Sequence, residues 1–428
     1  MSEFEVVVLL LAVAVGLAMV ADFVKIPYPI LLVVGGLVLS LQPWAPHYRL
    51  PPELVFLAFL PPLLYGAAFN TNWAQFRRQI RAISLLAIGL VFFTTLAVGW
   101  AAHEFVGLGW GPAFVLGAIV SPPDAVAALA ITRRVRVPAV VSTLLEGESL
   151  VNDASALVAY RLAVAAVVTG AFSLADASLQ FVQISAGGVA FGVGGAFAVA
   201  RLHRWLNRVK LADSKTTIAI TLLTPYAIYL PAERLHVSGV LAVVTAGLIV
   251  GANRRKLFPD SLRVEAHAVW ETLEFVLNGL TFILIGFQLP TILAGLSADY
   301  TPVALAESAA VVSLVVIATR FVWVYPGAYL PRFLDRVFGL RRDPYPPWQQ
   351  VTVVAWTGMR GVVSLASALA LPTTVAGGAA FPNRDLIQFL TFWVIFATLV
   401  LQGLTLPLVI RVLGVDRRDE PVGEPPSC

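Results

Sequence analysis

Charge is the scarcest property of this sequence. Only 13% of its 428 residues are Asp, Glu, Lys or Arg, against about 25% in a soluble domain. A single cysteine, Cys428, excludes a disulfide framework, a Cys-based zinc site and an Fe–S cluster. The five histidines (His47, His103, His203, His236 and His267) are scattered without metal-ligand spacing, so no cofactor is expected. Met1–Glu5 holds acids and no base ahead of the first apolar run, which argues against a cleaved signal peptide. The net charge of +4 and pI near 9.3 do not point to nucleic acid. The bases sit between apolar runs, where they read as membrane flanks.

What the chain has in abundance is hydrocarbon: 58% of residues are hydrophobic and the mean hydropathy is +0.83. A helix needs about 20 mostly apolar residues to cross a bilayer. Such runs predict an all-α polytopic membrane protein with thirteen spans. They fall near 5–22, 28–42, 53–70, 82–103, 110–131, 137–168, 179–201, 215–231, 236–252, 267–288, 302–325, 350–371 and 386–411. The second and ninth are short, and the sixth is long enough to tilt or protrude. With the N-terminus outside, 23 of the 29 Lys and Arg residues fall in inside segments and three in outside loops. The remaining three, Arg161, Arg320 and Arg360, lie within spans. That asymmetry fits the positive-inside rule and puts the C-terminus in the cytoplasm. The membrane region is expected over 1–411, followed by a short polar tail, 412–428.

Taking span seven (179–201) as a linker leaves halves of six spans, about 5–168 and 215–411, with opposite topology. The fifth member of each half is interrupted. The breaks are Ser121-Pro122-Pro123-Asp124 and Thr357-Gly358-Met359-Arg360-Gly361. Adjacent prolines remove backbone donors, and flanking glycines weaken a helix. A lone proline kink is ordinary in membrane helices, but paired interruptions in matching positions point to a transport site. Asp124 stands at the start of a half-helix, the positive end of its dipole. Arg360 stands near the end of one, the negative end.

Span six carries Glu146-Gly147-Glu148-Ser149-Leu150-Val151-Asn152-Asp153. An ionised group at the bilayer centre costs about 2.5–3.5 kcal/mol on insertion scales, so three acids in one span demand partners or a task. At 100° per residue, Glu148, Ser149, Asn152 and Asp153 fall within about 140° of arc. Glu146 lies two turns from Asp153 on nearly the same side, towards the cytoplasm. Carboxylates, a hydroxyl and an amide carbonyl are what hard monovalent cations take. A buried carboxyl group can hold a proton or help hold a cation, and that competition is the physical basis of exchange. The bland alternative is acids paired with bases for packing; Glu148 has such a candidate partner in Arg320. Arg161 is expected to pack or to snorkel towards the interface.

With these residues in view, the sequence resembles the cation–proton antiporter family, in its sodium/proton exchanger branch. The likeness rests on Ala118–Ala127 (AIVSPPDAVA), Leu145–Asp153 (LEGESLVND) and Gly358–Gly361 (GMRG), with a weaker passage at Phe59–Phe69. The resemblance implies a core domain of crossing broken helices, a dimerisation domain and a homodimer in the inner membrane. It implies that Asp153 binds the ion beside Asn152, with Asp124, Ser149 and the Pro123 backbone carbonyl as further ligands. It makes Glu148 and Arg320 a structural pair, and Asn-Asp at 152–153 similar to members exchanging one Na⁺ for one H⁺. Many members read Thr-Asp-Pro at the span-five break. Here Pro123-Asp124-Ala125 lacks that threonine hydroxyl, which leaves Li⁺ and K⁺ open as substrates.

Two rivals remain. A carrier for a small organic anion would use Arg320 and Arg360 as a clamp, against which the acid-rich span six argues. An intramembrane hydrolase needs a nucleophile with a base or metal, and no histidine lies mid-span near Ser149.

Overall fold

The structure is a computed structural model that describes residues 3–43, 51–135, 137–209, 213–296, 300–339 and 344–415. Of the expected tail, residues 416–428 with Cys428 lie outside them. Among the described residues there is no strand, only an isolated bridge between Thr374 and Ala380. Hydrocarbon offers backbone groups no partner, so each apolar run must satisfy its N–H and C=O groups within a helix.

The helices are α1 (Glu3–Val24), α2 (Tyr28–Ser40), α3 (Pro52–Asn70), α4 (Ile80–Val106), the half-helices α5a (Trp110–Val120) and α5b (Ala125–Val135), α6 (Ala139–Thr169) and α7 (Leu174–Arg208). There follow α8 (Ser214–Arg234), α9 (Gly239–Ala252), α10 (Asp260–Phe287), α11 (Pro302–Val337), the half-helices α12a (Trp348–Trp356) and α12b (Val362–Leu369), and α13 (Arg384–Val412). Among the described residues, nine helices are long and apolar enough to cross a membrane. Helices α2 and α9 are shorter apolar helices, and α12 is divided. Helix α8 is diluted by threonines and by Pro225 and Pro231 within it.

Several helices outrun the apolar stretch that announces them. Helix α7 covers 35 residues and α11 covers 36, ending at Val337 rather than near 325. Hydropathy marks only the part of a helix that meets lipid. The last turns of α11 continue with Arg332, Asp335 and Arg336, and Asp335 pairs with Arg81 at the start of α4. Arg161 also has a partner that the sequence did not show: its Nη2 donates to Glu233 Oε2 at 2.6 Å, tying α6 to α8.

Packing follows close backbone approach. Where α2 crosses α10, a Cβ on Gly36 would strike the Ile283 carbonyl, and one on Gly286 the Val33 carbonyl. Glycine there lets two helices meet backbone to backbone. Helices α3 and α7 both pack on α9, while α4 packs on α5a and α11, and α11 on α12a and α13. Between these groups runs α6, whose Asn152, Asp153 and Ala154–Tyr160 are buried.

Candidate functional site

The two interrupted helices meet at their breaks. Helix α5a ends at Val120 and α5b begins at Ala125; α12a ends at Trp356 and α12b begins at Val362. A backbone hydrogen bond from Asp124 N to Met359 O, 2.6 Å, joins the unwound segments. Each break exposes carbonyls at one helix end and N–H groups at the other. Arg360, 1% exposed, serves the carbonyl ends. Its Nε donates to Val120 O at 2.9 Å, its Nη1 donates to Gly358 O, and its backbone N donates to Thr398 Oγ1 at 3.1 Å.

Asp124 serves the opposite ends. Val126 N donates to Asp124 Oδ1 at 2.8 Å at the start of α5b. Gly361, heading α12b, lies so close to the Asp124 carboxylate that any Cβ would collide with it. The sequence suggested one half-helix for each charge; each instead lies at ends of both broken helices. Gly361→Ala is therefore expected to destabilise the protein by about 1–3 kcal/mol, as overpacking does, and to push Asp124 from its place. Thermal unfolding together with proton flux checks this: wild-type values for both contradict it.

Helix α6 presents Glu146, Ser149 and Asp153, at i, i+3 and i+7, to one cavity of about 110 Å³. Asp124 and Pro123 line the same cavity from the α5 break, with Leu60 and Leu64 of α3 on the apolar side. Asp153 is 8% exposed and, among the described residues, makes no ion pair or hydrogen bond with the protein. No Lys, Arg or His lines this cavity among the described residues. Asn152 stands behind it: its Nδ2 donates to Pro123 O at 3.1 Å. The Pro123 carbonyl expected as a cation ligand thus already accepts one bond, leaving one lone pair.

Glu148 and Arg320 are elsewhere, both nearly inaccessible. Arg320 Nη1 donates to Glu148 Oε1 at 2.5 Å and Nη2 to Oε2 at 2.8 Å, a two-pronged pair. Arg320 Nε donates to Val354 O at 3.0 Å. Neither Arg320 nor Arg360 lines the cavity, so the anion clamp lacks its cations. Larger cavities of about 440 and 380 Å³ lie beside α8 and α11, but among the described residues no carboxylate lines either.

Three polar residues on the cavity wall escaped the sequence reading: Asn278 and Thr281 on α10, and Ser364 on α12b. Asn278 and Thr281 are polar positions one turn apart in an apolar span. Ser364 follows Gly361 by one turn. Those spacings were the available signals.

The family described as sodium/hydrogen exchanger, transmembrane, matches residues 8–412. The chain belongs to the sodium/hydrogen exchanger family. Among relatives of this exchanger-family chain, the sodium, potassium, lithium and rubidium/H(+) antiporter of Bacillus subtilis (strain 168) is 36% identical over 419 residues. That alignment covers 96% of this chain and 62% of the relative; for the corresponding Bacillus pumilus antiporter the shares are 96% and 61%. The chain therefore spans under two thirds of the length of those two proteins. The Na(+)/H(+) antiporter ApNhaP of Aphanothece halophytica is 34% identical, over 97% of this chain and 75% of that one. The sodium proton antiporter MjNhaP1 of Methanocaldococcus jannaschii has the same fold, with a TM-score of 0.70 at 19% identity. That match covers 96% of this chain and 98% of MjNhaP1.

Proposed function

We propose that this chain exchanges Na⁺, with Li⁺ or K⁺ as further substrates, for H⁺ across the cell membrane. One observation carries the reading: the carboxylate residues Asp124, Glu146 and Asp153 and the hydroxyl residue Ser149 share a small cavity at the crossing of two broken helices, with no basic residue on its wall among the described residues. Two carboxylates in one desolvated space repel each other, and either a proton or a cation relieves that repulsion. A cation needs the carboxylates ionised; a proton removes that charge. The two ligands therefore compete, and a carrier that reorients with either one bound couples their gradients.

In this account Asp153 is the group that alternates. Asp124 and Ser149 complete its ligand set, while Pro123 O and Asn152 hold the wall. Glu146 guides ions along the same face of α6 from the cytoplasmic side. Glu148 with Arg320, and Arg360 alone, keep the frame. One exchangeable carboxylate beside a neutral Asn152 supports one-for-one, electroneutral exchange. The two inverted repeats, the linker α7, the homodimer, and an outside N-terminus with a cytoplasmic C-terminus belong to the same proposal. The asymmetry of Lys and Arg supports that orientation.

A dye-based proton-flux assay in everted vesicles, run with Na⁺, Li⁺ and K⁺ over a pH series, tests this. Exchange is expected with Na⁺, with an apparent affinity that weakens as pH falls because protons compete. The slope approaches about tenfold per pH unit where one proton is exchanged per cation. An imposed membrane potential is expected to leave the rate unchanged. Absence of cation-dependent flux with all three ions overturns the reading; a rate that follows the potential overturns electroneutrality.

A further inference from the structure

Among the described residues, two fully buried hydroxyls on residues that line the cavity have no hydrogen-bond partner. They are Ser364 Oγ, on a residue 1% exposed, and Thr281 Oγ1, on a residue 2% exposed. Serine and threonine in helices commonly donate to the carbonyl one turn back. Elsewhere here they do so: Ser155 to Val151 O, Thr319 to Val316 O, Ser367 to Val363 O and Thr398 to Val394 O. Ser367 lies on the same half-helix as Ser364. For Ser364 the carbonyls one turn back belong to the unwound segment; for Thr281 they belong to a regular helix and are still not used. A buried polar group left unmatched is costly, so a ligand that matches it gains accordingly. Thr94 and Thr391 are also unpartnered, but neither lies on this wall.

Ser364 is also well placed. It follows Gly361 by three residues on α12b, hence on the same face, and Gly361 abuts the Asp124 carboxylate. Thr281 reaches the cavity from α10, which packs against α12b. Meanwhile residue 123, where a hydroxyl would contribute from the α5 break, is a proline whose carbonyl already accepts a bond from Asn152.

We propose that Ser364 Oγ and Thr281 Oγ1 are neutral oxygen ligands of the transported cation and set its preference among alkali ions. The inference rests on the cation reading of this cavity. When a cation is bound, each hydroxyl turns a lone pair to it; when the carboxyl group is protonated, the same hydroxyl rotates to bond with it. The number of ligands and the strength of their field decide between ions of one charge. Removing a neutral oxygen leaves a larger ion under-coordinated, so K⁺ and Na⁺ should suffer more than Li⁺.

The test is the thermal unfolding of the purified full chain against NaCl, LiCl or KCl, with choline chloride holding ionic strength. Ligand binding to the folded state raises the midpoint and gives a half-saturating concentration. Ser364→Ala and Thr281→Val are each expected to raise the half-saturating Na⁺ concentration by about three- to tenfold, the worth of one hydrogen-bond-strength contact. Li⁺ should shift less, and Ser364→Thr and Thr281→Ser, which keep a hydroxyl, should stay near wild type. A variant whose midpoint in choline falls while half-saturation is unchanged for every ion has lost packing only, which overturns the inference. If Ser364→Ala cannot be purified, Thr281→Val decides by the same criterion. A wild type stabilised by no alkali ion also overturns it. Flux in vesicles separates the two claims. Shifted affinities without wild-type exchange leave the ligands standing and sink the antiport; normal exchange with unshifted affinities does the reverse.

Discussion

Asp153→Asn is expected to reduce cation-dependent proton flux to the level of vesicles lacking the protein, while the chain still inserts and folds. The amide has nearly the same shape but cannot ionise, so it neither releases a proton nor balances a cation's charge. Among the described residues no protein group bonds to the Asp153 carboxylate, so the substitution breaks no structural contact there. It also removes one of the like charges from a desolvated space, which relieves repulsion and can stabilise. Midpoints at or above wild type in cation-free buffer, with flux at background, are the expected pair of results. Asp124→Asn should differ, because it weakens the cap on Val126 N and changes the surroundings of Gly361. Full activity in Asp153→Asn would remove the residue from its role.

The second large effect belongs to Glu148. Its carboxylate receives both prongs of Arg320, and the two side chains are 2% and 1% exposed. Glu148→Ala strands a guanidinium in the protein interior, which costs about 3–5 kcal/mol. Low yield or a collapsed unfolding midpoint is therefore expected, rather than a shift in ion affinity. Replacing both partners, as Glu148→Leu with Arg320→Met, should recover much of the loss, because neither half of the pair is then left buried without the other. The Val354 carbonyl that loses Arg320 Nε still accepts from Thr357 Oγ1 at 2.9 Å. A stable Glu148→Ala protein with greatly weakened Na⁺ affinity would instead make Glu148 a ligand.

Much of this arrangement could be read along single helices, because periodicity within a helix is fixed. Glu146, Ser149 and Asp153 had to share a face of α6 once that stretch was helical. The prolines at 122–123 and the glycines at 358 and 361 disfavour a continuous helix, and the chain is unwound there. What could not be read were contacts between helices far apart in sequence. Nothing in the order of residues says that the Asn152 amide would take the Pro123 carbonyl, or Arg161 the Glu233 carboxylate. Arg360 was legible as a counter-charge for its own half-helix; its bond to Val120 O depends on the crossing, which only the fold provides. Ser364 and Thr281 went unseen for the opposite reason. Small hydroxyl residues are common in apolar helices and usually bond their own backbone, so they stand out only once that bond is found missing. Helix ends were the poorest guide, since α7 and α11 continue past their lipid-facing stretches.

The most direct measurement is proton release on cation binding, obtained by titrating Na⁺ into the purified chain by calorimetry in buffers of different ionisation enthalpy. In the pH range where affinity falls with acidity, close to one H⁺ should leave for each Na⁺ bound, and Asp153→Asn should release none. Na⁺ binding to the wild type with no proton release at any pH would contradict competition at a shared carboxylate.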